Sequence, residues 1–433
     1  MLEVLNTLLW GPGTLALILG TGAWLTLRTG GFPQRNLGWA LALSLGREAR
    51  RKGRGGVSPF GSLMTALAST VGTGNIVGVA AALVSGGPGA LVWMELAALL
   101  GLASKFAECM LAVKYRRVRR DGTRWGGPMA VMEARLGAPG RWMGKLFAVF
   151  ALLMAFTMGA LAQSGALADT FSAAFTLPRW RVGLVTAALA LTILLGGIRR
   201  IADISTVLVP VMALLYLGGG LAVILMLRCA VAPEAALGGA LGIVTRREAL
   251  RWGVARSVFS NEAGLGSAAI TAACADTEDP VKQGLISMTG VFFDTMVICT
   301  VTGLAICCSG TLGTADGAGR PLTGAALTLR AFETVLGPLA PWLIGVALGL
   351  FAFTSVLGCA VQAETTASYL LGPEAVRPCR VLYGLAVFAG AVIPMATVLQ
   401  LADLANALMA FPNLVCLLLL SGEIAGECGR KER

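Results

Sequence analysis

Two polar, glycine-rich strings interrupt apolar stretches of the chain, at Ser69–Asn75 and at Phe259–Ser267. A helix that is broken inside apolar surroundings exposes backbone N–H groups on one side of the break and carbonyl groups on the other. The N–H groups can bind a carboxylate, and the carbonyl groups can bind an ammonium group or a metal cation, without buried protein charge. Glycines that only allow close helix packing are the simpler explanation of one such string. Two strings, each with an asparagine, favour a substrate site between the breaks, which could bind a molecule that carries both a carboxylate and an ammonium group (a zwitterion).

Candidate ligands for the zwitterion lie in both strings and in one further segment. The backbone N–H groups around Thr73, Gly74 and Asn75 are predicted carboxylate donors, because glycine permits close approach. Gln163 lies in the middle of an apolar segment, where its amide can donate to a carboxylate and accept from an ammonium group. A hydrogen bond between helices is the alternative role of Gln163. The candidates in the second string are Asn261, Gly264 and Ser267.

The composition indicates that a bilayer is the solvent of this chain. Of its 433 residues, 56% are hydrophobic and 13% are charged, whereas a soluble domain carries about 25% charged residues. Long apolar runs without alternation favour helices over the strands of a membrane barrel. We therefore predict an all-α, multi-pass protein of the cell (plasma) membrane. Eleven apolar segments can be counted, at 8–27, 60–84, 89–113, 144–172, 181–196, 204–227, 255–275, 285–309, 340–368, 380–397 and 400–421.

The basic residues indicate how these segments are oriented. The formal net charge is +11, but arginine and lysine gather in short bursts between apolar segments, as at 47–54 and 114–124. This positive-inside distribution orients helices and gives no reason to predict nucleic acid as a partner. Alternation of the segments places the N-terminus outside and the C-terminus in the cytoplasm. The arginines at 246–256 do not fit this scheme, and we expect them in an amphipathic helix at the membrane surface.

Residue types that the chain lacks argue against other classes of protein. It has no histidine, and its ten cysteines include no CxxC pair, which disfavours a zinc site, a disulfide framework and imidazole acid–base chemistry. We predict that the chain is not an enzyme and needs no cofactor beyond a coupling ion. A channel would favour symmetric polar pore linings over two unequal broken helices. No protein partner is evident from the sequence.

The two strings divide the chain into corresponding halves. Each lies in the first of five consecutive segments, two to six and seven to eleven. Paired, glycine-interrupted spans at matching positions point to inverted repeats with a substrate site between the breaks. We predict a single transport domain over 1–433, which comprises an extra helix and loop (1–59), two five-helix repeats (60–227 and 228–421) and a cytoplasmic tail (422–433).

Several motifs resemble those of the alanine or glycine:cation symporter family, in the amino acid–polyamine–cation superfamily. They are Val71–Ala80, Gly86–Ala90, Lys105–Cys109, Phe259–Ser267 and Leu401–Asp403. The nine-residue string Phe-Ser-Asn-Glu-Ala-Gly-Leu-Gly-Ser is long and specific, whereas Gly-x-Gly-Asn alone is weak. The resemblance implies a sodium-coupled, LeuT-like fold of five plus five helices preceded by one extra helix. It also implies a small neutral amino acid, such as alanine or glycine, as the substrate.

A sodium site is a further implication of the resemblance. Backbone carbonyls near Ala68 and Val71, with the hydroxyls of Thr354 and Ser355, resemble the sodium site shared in the superfamily, and oxygen ligands suit a hard cation. The alternative is that the two hydroxyls only donate hydrogen bonds back to their own helix. We expect Ser355 to border the substrate cavity as well.

One departure from the family pattern bears on the size of the substrate. The family usually has a tryptophan where this chain has Cys359. Cys359 lies one helical turn beyond Ser355, so we expect it to line the same cavity, to enlarge it, and to allow substrates larger than alanine. In the alternative, a neighbour such as Gln362 or Met158 fills the space and the pocket stays small.

Buried carboxylates leave the coupling ion open. A charge at the bilayer centre costs about 2.5–3.5 kcal/mol on insertion scales, so such residues are expected to be paired or functional. Glu108 has Lys105 three residues earlier and is expected to form a structural ion pair with it. The alternative function is a carrier of a different amino acid, driven by H⁺ through Asp294 or Glu95.

Overall fold

The structure is a computed structural model that describes residue 6 and residues 9–51, 57–118, 122–227, 246–315, 319–393 and 395–432. Among these residues the chain is almost entirely helical, and its strands are one short antiparallel pair, β1 (Arg117–Val118) and β2 (Arg124–Trp125). The predicted all-α class is therefore confirmed. The predicted junction of the two repeats, at residue 228, lies outside the described residues.

Helices α1 to α11 occupy the chain up to residue 227. They are α1 (Pro12–Arg28), α2 (Phe32–Arg35), α3 (Leu37–Leu45), α4 (Pro59–Thr70), α5 (Val79–Gly86), α6 (Gly89–Lys114), α7 (Pro128–Arg135), α8 (Gly137–Met154), α9 (Gln163–Phe175), α10 (Arg179–Leu194) and α11 (Gly197–Met226). A 3₁₀ turn, Glu48–Arg50, follows α3. Two π-helical turns, Gly74–Gly78 and Ala155–Ala162, lead into α5 and α9. Such turns are frequent at functional sites.

Helices α12 to α20 occupy the described chain after residue 245. They are α12 (Arg246–Asn261), α13 (Ser267–Ala273), α14 (Pro280–Val291), α15 (Thr300–Ser309), α16 (Gly324–Leu336), α17 (Leu339–Leu371), α18 (Val376–Gly390), α19 (Met395–Leu419) and α20 (Ser421–Glu432). A third π-helical turn, Phe292–Cys299, joins α14 to α15, and a 3₁₀ turn, Pro373–Ala375, precedes α18. The Asp279 side chain caps α14 by accepting from the Lys282 amide.

Six stretches of the described chain are long and apolar enough to cross a membrane. They are Gly89–Lys114, Gly137–Ser172, Gly197–Met226, Pro280–Ser309, Leu339–Leu371 and Val398–Leu419. The pair Pro59–Thr70 and Gly74–Gly86 forms a seventh, which is bent by 54° at its break. The predicted total of eleven requires α1, α10, α18 and the α12–α13 pair to cross as well, and that total stays a prediction.

The two interrupted helices pack in the interior of the protein. α4 contacts α11 and α17, and α12 contacts α6. Buried apolar side chains form two large clusters, one that includes α6, α12 and α19 and one that includes α4, α11 and α17. Because helices surround both breaks, the polar groups there must be satisfied by the protein or by a ligand.

Residues 246–256 and the C-terminal tail differ from the predicted organisation. The prediction of a separate surface helix at 246–256 is wrong, because these residues form the first part of α12 and continue into the second break. Gly253 lies inside α12, which continues through it to Asn261. It lets α12 approach α6, since a Cβ at this position would lie 2.3 Å from the Ala90 carbonyl oxygen. The predicted tail at 422–433 is folded as α20 as far as Glu432.

Candidate substrate and cation site

The first break lies between α4 and α5. Helical hydrogen bonding continues to Val71, whose amide still donates to the preceding turn at 2.7 Å. The Gly72 amide donates instead to the Asn75 side-chain oxygen at 3.0 Å, so it does not use Ala68, the acceptor in a regular helix. A side chain at position 72 has no room, because its Cβ would lie 2.9 Å from the Ser355 hydroxyl oxygen. The break therefore depends on Gly72 and releases the Ala68 carbonyl.

Two backbone amides at this break adjoin a cavity. Within the described chain, the amides of Thr73 and Gly74 have no acceptor, and both residues line a cavity of about 400 Å³. The Asn75 amide is already used, since it donates to the Gly72 carbonyl at 3.3 Å. Two adjacent free N–H groups at the beginning of a helical turn can bind an anionic group.

The wall of this cavity is apolar in one part and charged in another. Met158, Ala162 and Phe259 contribute apolar surface, and Arg256 and Asp403 line the same cavity. The Arg256 guanidinium carbon lies 5.5 Å from the centre of the Phe259 ring. Arg256 and Asp403 belong to α12 and α19, and Asp169 of α9 lines the cavity as well, so charges of both signs bound it.

Gln163 and Ser355 approach the first break from α9 and α17. Both side chains are buried, with 3% and 0% of their surface exposed. The side-chain oxygen Oε1 of Gln163 has no hydrogen-bond partner in the described part of the protein. A Cβ at Gly72 would lie 3.5 Å from the Gln163 amide nitrogen, which places the Gln163 side chain beside Gly72. Neither Gln163 nor Ser355 is among the residues that line the cavity. An unsatisfied buried polar group is costly unless a ligand completes its hydrogen bonds.

The predicted sodium ligands are brought together only in part. The Ser355 hydroxyl donates to Phe351 at 2.9 Å in its own helix and lies 3.4 Å from the Val71 carbonyl oxygen. The Thr354 hydroxyl donates to the Leu350 carbonyl at 3.0 Å and lies 3.3 Å from the Met212 sulfur. Ser355 therefore faces the break, whereas Thr354 contacts α11.

The second break, between α12 and α13, is held by asparagine side chains. Glu262 and Gly264 have left-handed φ values of 53° and 84°, a conformation that favours glycine. The Asn261 side-chain oxygen accepts from the Ala263 amide at 2.9 Å. The Asn413 side chain donates to the Gly264 carbonyl at 2.9 Å. The side chain of Asn261 and the carbonyl of Gly264 thus already have protein partners.

A buried ion pair supports the same break. Lys105 and Glu108 lie 3.7 Å apart and are almost fully buried, which confirms their predicted pairing. Lys105 donates to the Glu262 carbonyl at 3.2 Å, and Glu108 accepts from the Gly266 amide at 3.1 Å and from Asn413 at 3.0 Å. The pair fixes loop carbonyl and amide groups that a regular helix would have satisfied itself.

The carboxylate of Asp294 connects the two breaks. It accepts from the Asn75 side chain at 2.7 Å, from Ser260 at 2.5 Å and from Thr295 at 3.1 Å. Asn261 in turn donates to Thr295 at 3.0 Å. Asp294 is fully buried, and none of the described residues forms an ion pair with it. A carboxylate in this setting is completed by a cation or by a proton.

Cys359 lies between helices and is not among the residues that line the cavity. A Cβ at Gly159, in the π-helical turn before α9, would lie 2.2 Å from the Cys359 Cβ and 2.8 Å from the Tyr383 hydroxyl oxygen. The backbone at Gly159 therefore packs against Cys359 and occupies the space beside its small thiol. This contact favours the alternative in which the pocket stays small.

The predicted ligands omit Ser260, Asp403 and Asn413. Ser260 lies within the second polar string and Asp403 within the Leu401–Asp403 motif, so both carried a signal in the sequence. Asn413 was marked only by being a polar residue inside an apolar segment, which is costly without a role. Its role became clear only from its contacts with Glu108 and Gly264.

Apolar helices surround two interrupted helices, with polar groups between the breaks, an arrangement typical of secondary transporters. The chain belongs to the sodium:alanine symporter family, whose profile matches residues 1–429. It is therefore a member of a family of membrane symporters.

Curated relatives match over nearly the full chain. The sodium/alanine symporter AgcS of Methanococcus maripaludis is 40% identical over 99% of this chain and 96% of its own length. An uncharacterised transporter of Haemophilus influenzae is 43% identical, over 96% of this chain and 92% of its own. The probable sodium/glutamine symporter GlnT of Bacillus subtilis is 37% identical, over 96% and 87%.

Solved structures support the fold. The transporter MhsT, crystallised with L-phenylalanine, superposes with a TM-score of 0.63 at 15% identity, over 85% of this chain and 90% of MhsT. A manganese transporter of Eremococcus coleocola gives a TM-score of 0.51 at 14% identity, over 84% and 78%. At these identities the likeness concerns the fold alone.

Proposed function

We propose that the chain couples inward Na⁺ flux to the uptake of a small neutral amino acid of the alanine or glycine class. The observation that carries this proposal is the pair of free amides at Thr73 and Gly74 in the cavity wall, with the unpartnered oxygen of Gln163 close to the adjoining Gly72. The amides supply donors for the carboxylate, and the Gln163 oxygen supplies an acceptor for the ammonium group. Asn75, Asn261 and Gly264 hold the two breaks in shape around this site.

The substrate class follows from the cavity wall and from the family. Met158, Ala162 and Ala166 line the cavity next to the free amides, and they suit an apolar side chain without charge. Cys359 packs against Gly159 and does not line the cavity, so its small thiol adds no space there, and we infer that alanine and glycine are preferred over branched substrates. AgcS, named as a sodium/alanine symporter, supports the same class.

The cation is proposed to bind at the first break. The carbonyls of Ala68 and Val71 and the hydroxyls of Thr354 and Ser355 are its ligands in this proposal, with Ser355 already turned towards Val71. Thr354 would have to release its hydrogen bond to Leu350 in order to join them. Hard oxygen donors of this kind suit Na⁺. Asp294 supplies further negative charge between the breaks.

The arrangement in the membrane is part of the proposal. Residues 1–433 act as one transport unit, with repeats at 60–227 and 228–421 that rock against each other around the central site. The extra helix lies in 1–59, the N-terminus is outside, and the C-terminal helix within 422–433 is cytoplasmic. The bilayer, Na⁺ and the amino acid are the partners in this proposal.

Uptake by proteoliposomes tests this function. Purified protein is reconstituted, and initial uptake of radiolabelled alanine, glycine and larger neutral amino acids is measured with Na⁺ or choline outside, at fixed pH and membrane potential. We expect concentrative uptake of alanine and glycine only with Na⁺. Equal initial rates in choline would refute sodium coupling, and absence of alanine and glycine uptake would refute the substrate class.

A carrier driven by H⁺ is the second candidate, and Asp294 is the observation that favours it. Its buried carboxylate has hydroxyl and amide donors but no ion-pair partner among the described residues, so a proton can replace Na⁺ there. Glu95, the other carboxylate considered, accepts from Thr300 at 2.7 Å and does not contact either break. A pH gradient imposed without Na⁺ distinguishes the two ions.

A further inference from the structure

An apolar groove runs along the outer side of the first broken helix. It has a volume of about 280 Å³, and α4, α11 and the π-helical turn before α15 form its walls. Leu45 and Leu214 line it and are 59% and 72% exposed. In a membrane protein of this kind such exposed apolar side chains face lipid, so the groove opens towards the bilayer.

An arginine stands at one end of this groove. Arg50 lines it, and its guanidinium carbon lies 4.6 Å from the centre of the Phe60 ring. Arg47 and Arg51 beside it are exposed, and in the described part of the protein these three arginines have no carboxylate partner. The neighbouring Glu48 is 3.3 Å from Lys282. The end of the groove thus carries uncompensated positive charge.

The length of the groove matches one leaflet of a membrane. Its wall follows α4 from Phe60 to Val71, about 16 Å at roughly 1.5 Å per residue. Half of a hydrocarbon core of about 30 Å is nearly the same length. The arginine end therefore lies at the level of the headgroups and the Val71 end near the middle of the bilayer.

We propose that this groove binds one acyl chain of an anionic phospholipid whose phosphate is held by Arg50. Basic pockets between helices at the membrane surface recognise anionic headgroups, and the planar guanidinium suits a phosphate. The acyl chain binds in the apolar groove. The positive charge of the three arginines favours a headgroup with net negative charge over a neutral headgroup.

The inner end of the groove touches the site between the breaks. Val71, a proposed carbonyl ligand of Na⁺, lines the groove, and so does Ile298, which precedes Cys299. The Cys299 sulfur lies 3.4 Å from the Asn75 amide nitrogen. A bound chain packs behind the first break and stabilises its bent form. This consequence rests on the proposed function, whereas lipid binding itself does not.

Retention of lipid by the purified full chain tests the proposal without any transport assay. The protein is equilibrated with vesicles of phosphatidylethanolamine and phosphatidylglycerol, or with phosphatidylcholine in place of phosphatidylglycerol. It is then extracted, and bound lipid is counted by native mass spectrometry. We expect phosphatidylglycerol to be retained and phosphatidylcholine not. Arg50→Gln should lower retention about tenfold, because it removes the charge-assisted hydrogen bonds that hold the phosphate.

Matched variants separate the groove from general surface charge. Ala213→Trp fills the groove and should abolish retention, whereas Ala188→Trp, at an exposed alanine of α10 outside the groove, should not. Arg51→Gln removes the same charge beside the groove and should retain most binding. Equal retention by Arg50→Gln and the wild type, or equal retention of phosphatidylcholine, overturns the proposal. If Ala213→Trp does not fold, the comparison of lipid retention by Arg50→Gln and Arg51→Gln still tests the proposal.

Discussion

A buried glutamine without a complete set of partners is unusual, because leaving a buried polar group unsatisfied costs about 1–3 kcal/mol. The Gln163 oxygen is in this position within the described structure. Its neighbour Ser164 has an unpartnered hydroxyl as well. Orphaned groups next to two free amides are best explained by a ligand that completes them.

Replacement of Gln163 tests that explanation. Gln163→Ala should raise the half-saturation concentration for alanine about tenfold or more, since a hydrogen bond to a charged group is worth about 1.5–3 kcal/mol. Uptake at several substrate and Na⁺ concentrations measures it. Gln283→Ala is the matched control, because Gln283 is also buried with an unpartnered oxygen but lies in α14 away from the cavity. Unchanged affinity in a well-folded Gln163→Ala protein would remove this residue from the substrate site.

Asp294 carries the second prediction at the scale of single residues. Asp294→Asn keeps the size of the side chain but removes the charge that a cation would neutralise. We expect the Na⁺ half-saturation concentration to rise about tenfold, because two unit charges about 10 Å apart attract each other by roughly 1.7 kcal/mol at an effective dielectric constant of about 20. Na⁺ titration of alanine uptake measures the change.

The control for this variant is Glu95→Gln, which removes a carboxylate that accepts from Thr300 and, among the described residues, makes no hydrogen bond to either break. It should leave the Na⁺ dependence unchanged. If Asp294→Asn keeps its Na⁺ dependence but loses uptake driven by a pH gradient, Asp294 binds a proton. If it keeps both, the carboxylate has no coupling role.

Residue types could be predicted from the sequence better than residue roles. Thr73 and Gly74, from the first polar string, line the cavity, and Gln163 lies beside Gly72 at the first break, while their binding roles stay predictions. Asn75 and Asn261 were predicted as ligands from the same strings, but in the structure their side chains bond to the protein. An amide suits either role, and only its neighbours decide between them. These neighbours, Asp294 among them, are distant in sequence.

Helix breaks were more predictable than helix distortions. Both breaks coincide with glycine-rich strings, because glycine tolerates left-handed backbone and close approach. The π-helical turns at Ala155–Ala162 and Phe292–Cys299 have no comparable signal, since they depend on packing between helices. One of them contains Asp294, and the other contains Gly159, which contacts Cys359.

The contact between Gly159 and Cys359 gives a prediction at the scale of elements. Gly159→Ala should destabilise the protein by about 1–3 kcal/mol through overpacking, because the new Cβ would overlap Cys359. A lower unfolding temperature in detergent measures this effect. The double variant Gly159→Ala with Cys359→Gly should recover part of the loss, since it moves the Cβ across the contact. Gly218→Ala is the control, because no atom lies within 4 Å of a Cβ there. An unfolding temperature of Gly159→Ala equal to that of the wild type would show that there is space beside Cys359, as the enlarged pocket requires.

At one end of the molecule, α20 connects several helices that are distant in sequence, although the sequence predicted this segment only as a tail. Glu423 accepts from Lys114 of α6 at 2.6 Å and from Arg135 of α7 at 3.0 Å. Lys431 donates to Asp279, at the start of α14, at 2.6 Å. These partners lie more than a hundred residues away in sequence, so no local pattern predicts them. α20 therefore connects elements of both predicted repeats, which are expected to move against each other during transport.

The carboxyl of Glu423 makes this connection sensitive to pH. Burial alone would raise its pKa, but hydrogen bonds from Lys114 and Tyr115 outweigh burial and hold the pKa of Glu423 below its ordinary value. A carboxyl with a lower pKa in the docked helix than in the undocked one stabilises docking above its ordinary pKa. This stabilisation is lost as the pH falls through the lowered pKa.

Hydrogen exchange of residues 421–432 measures the docking of α20. We expect exchange, corrected for intrinsic rates, to increase as the pH falls below the ordinary carboxyl pKa. Glu423→Gln should increase it roughly fivefold already at neutral pH, since exposed ion pairs are worth about 0.2–1 kcal/mol each and this carboxylate has two cationic partners. Glu374→Gln, at an exposed position before α18, should have no effect. Exchange in Glu423→Gln that matches the wild type at neutral pH would show that the ion pairs of Glu423 do not stabilise the docking of α20, which then depends on Glu427, Lys431 and apolar contacts.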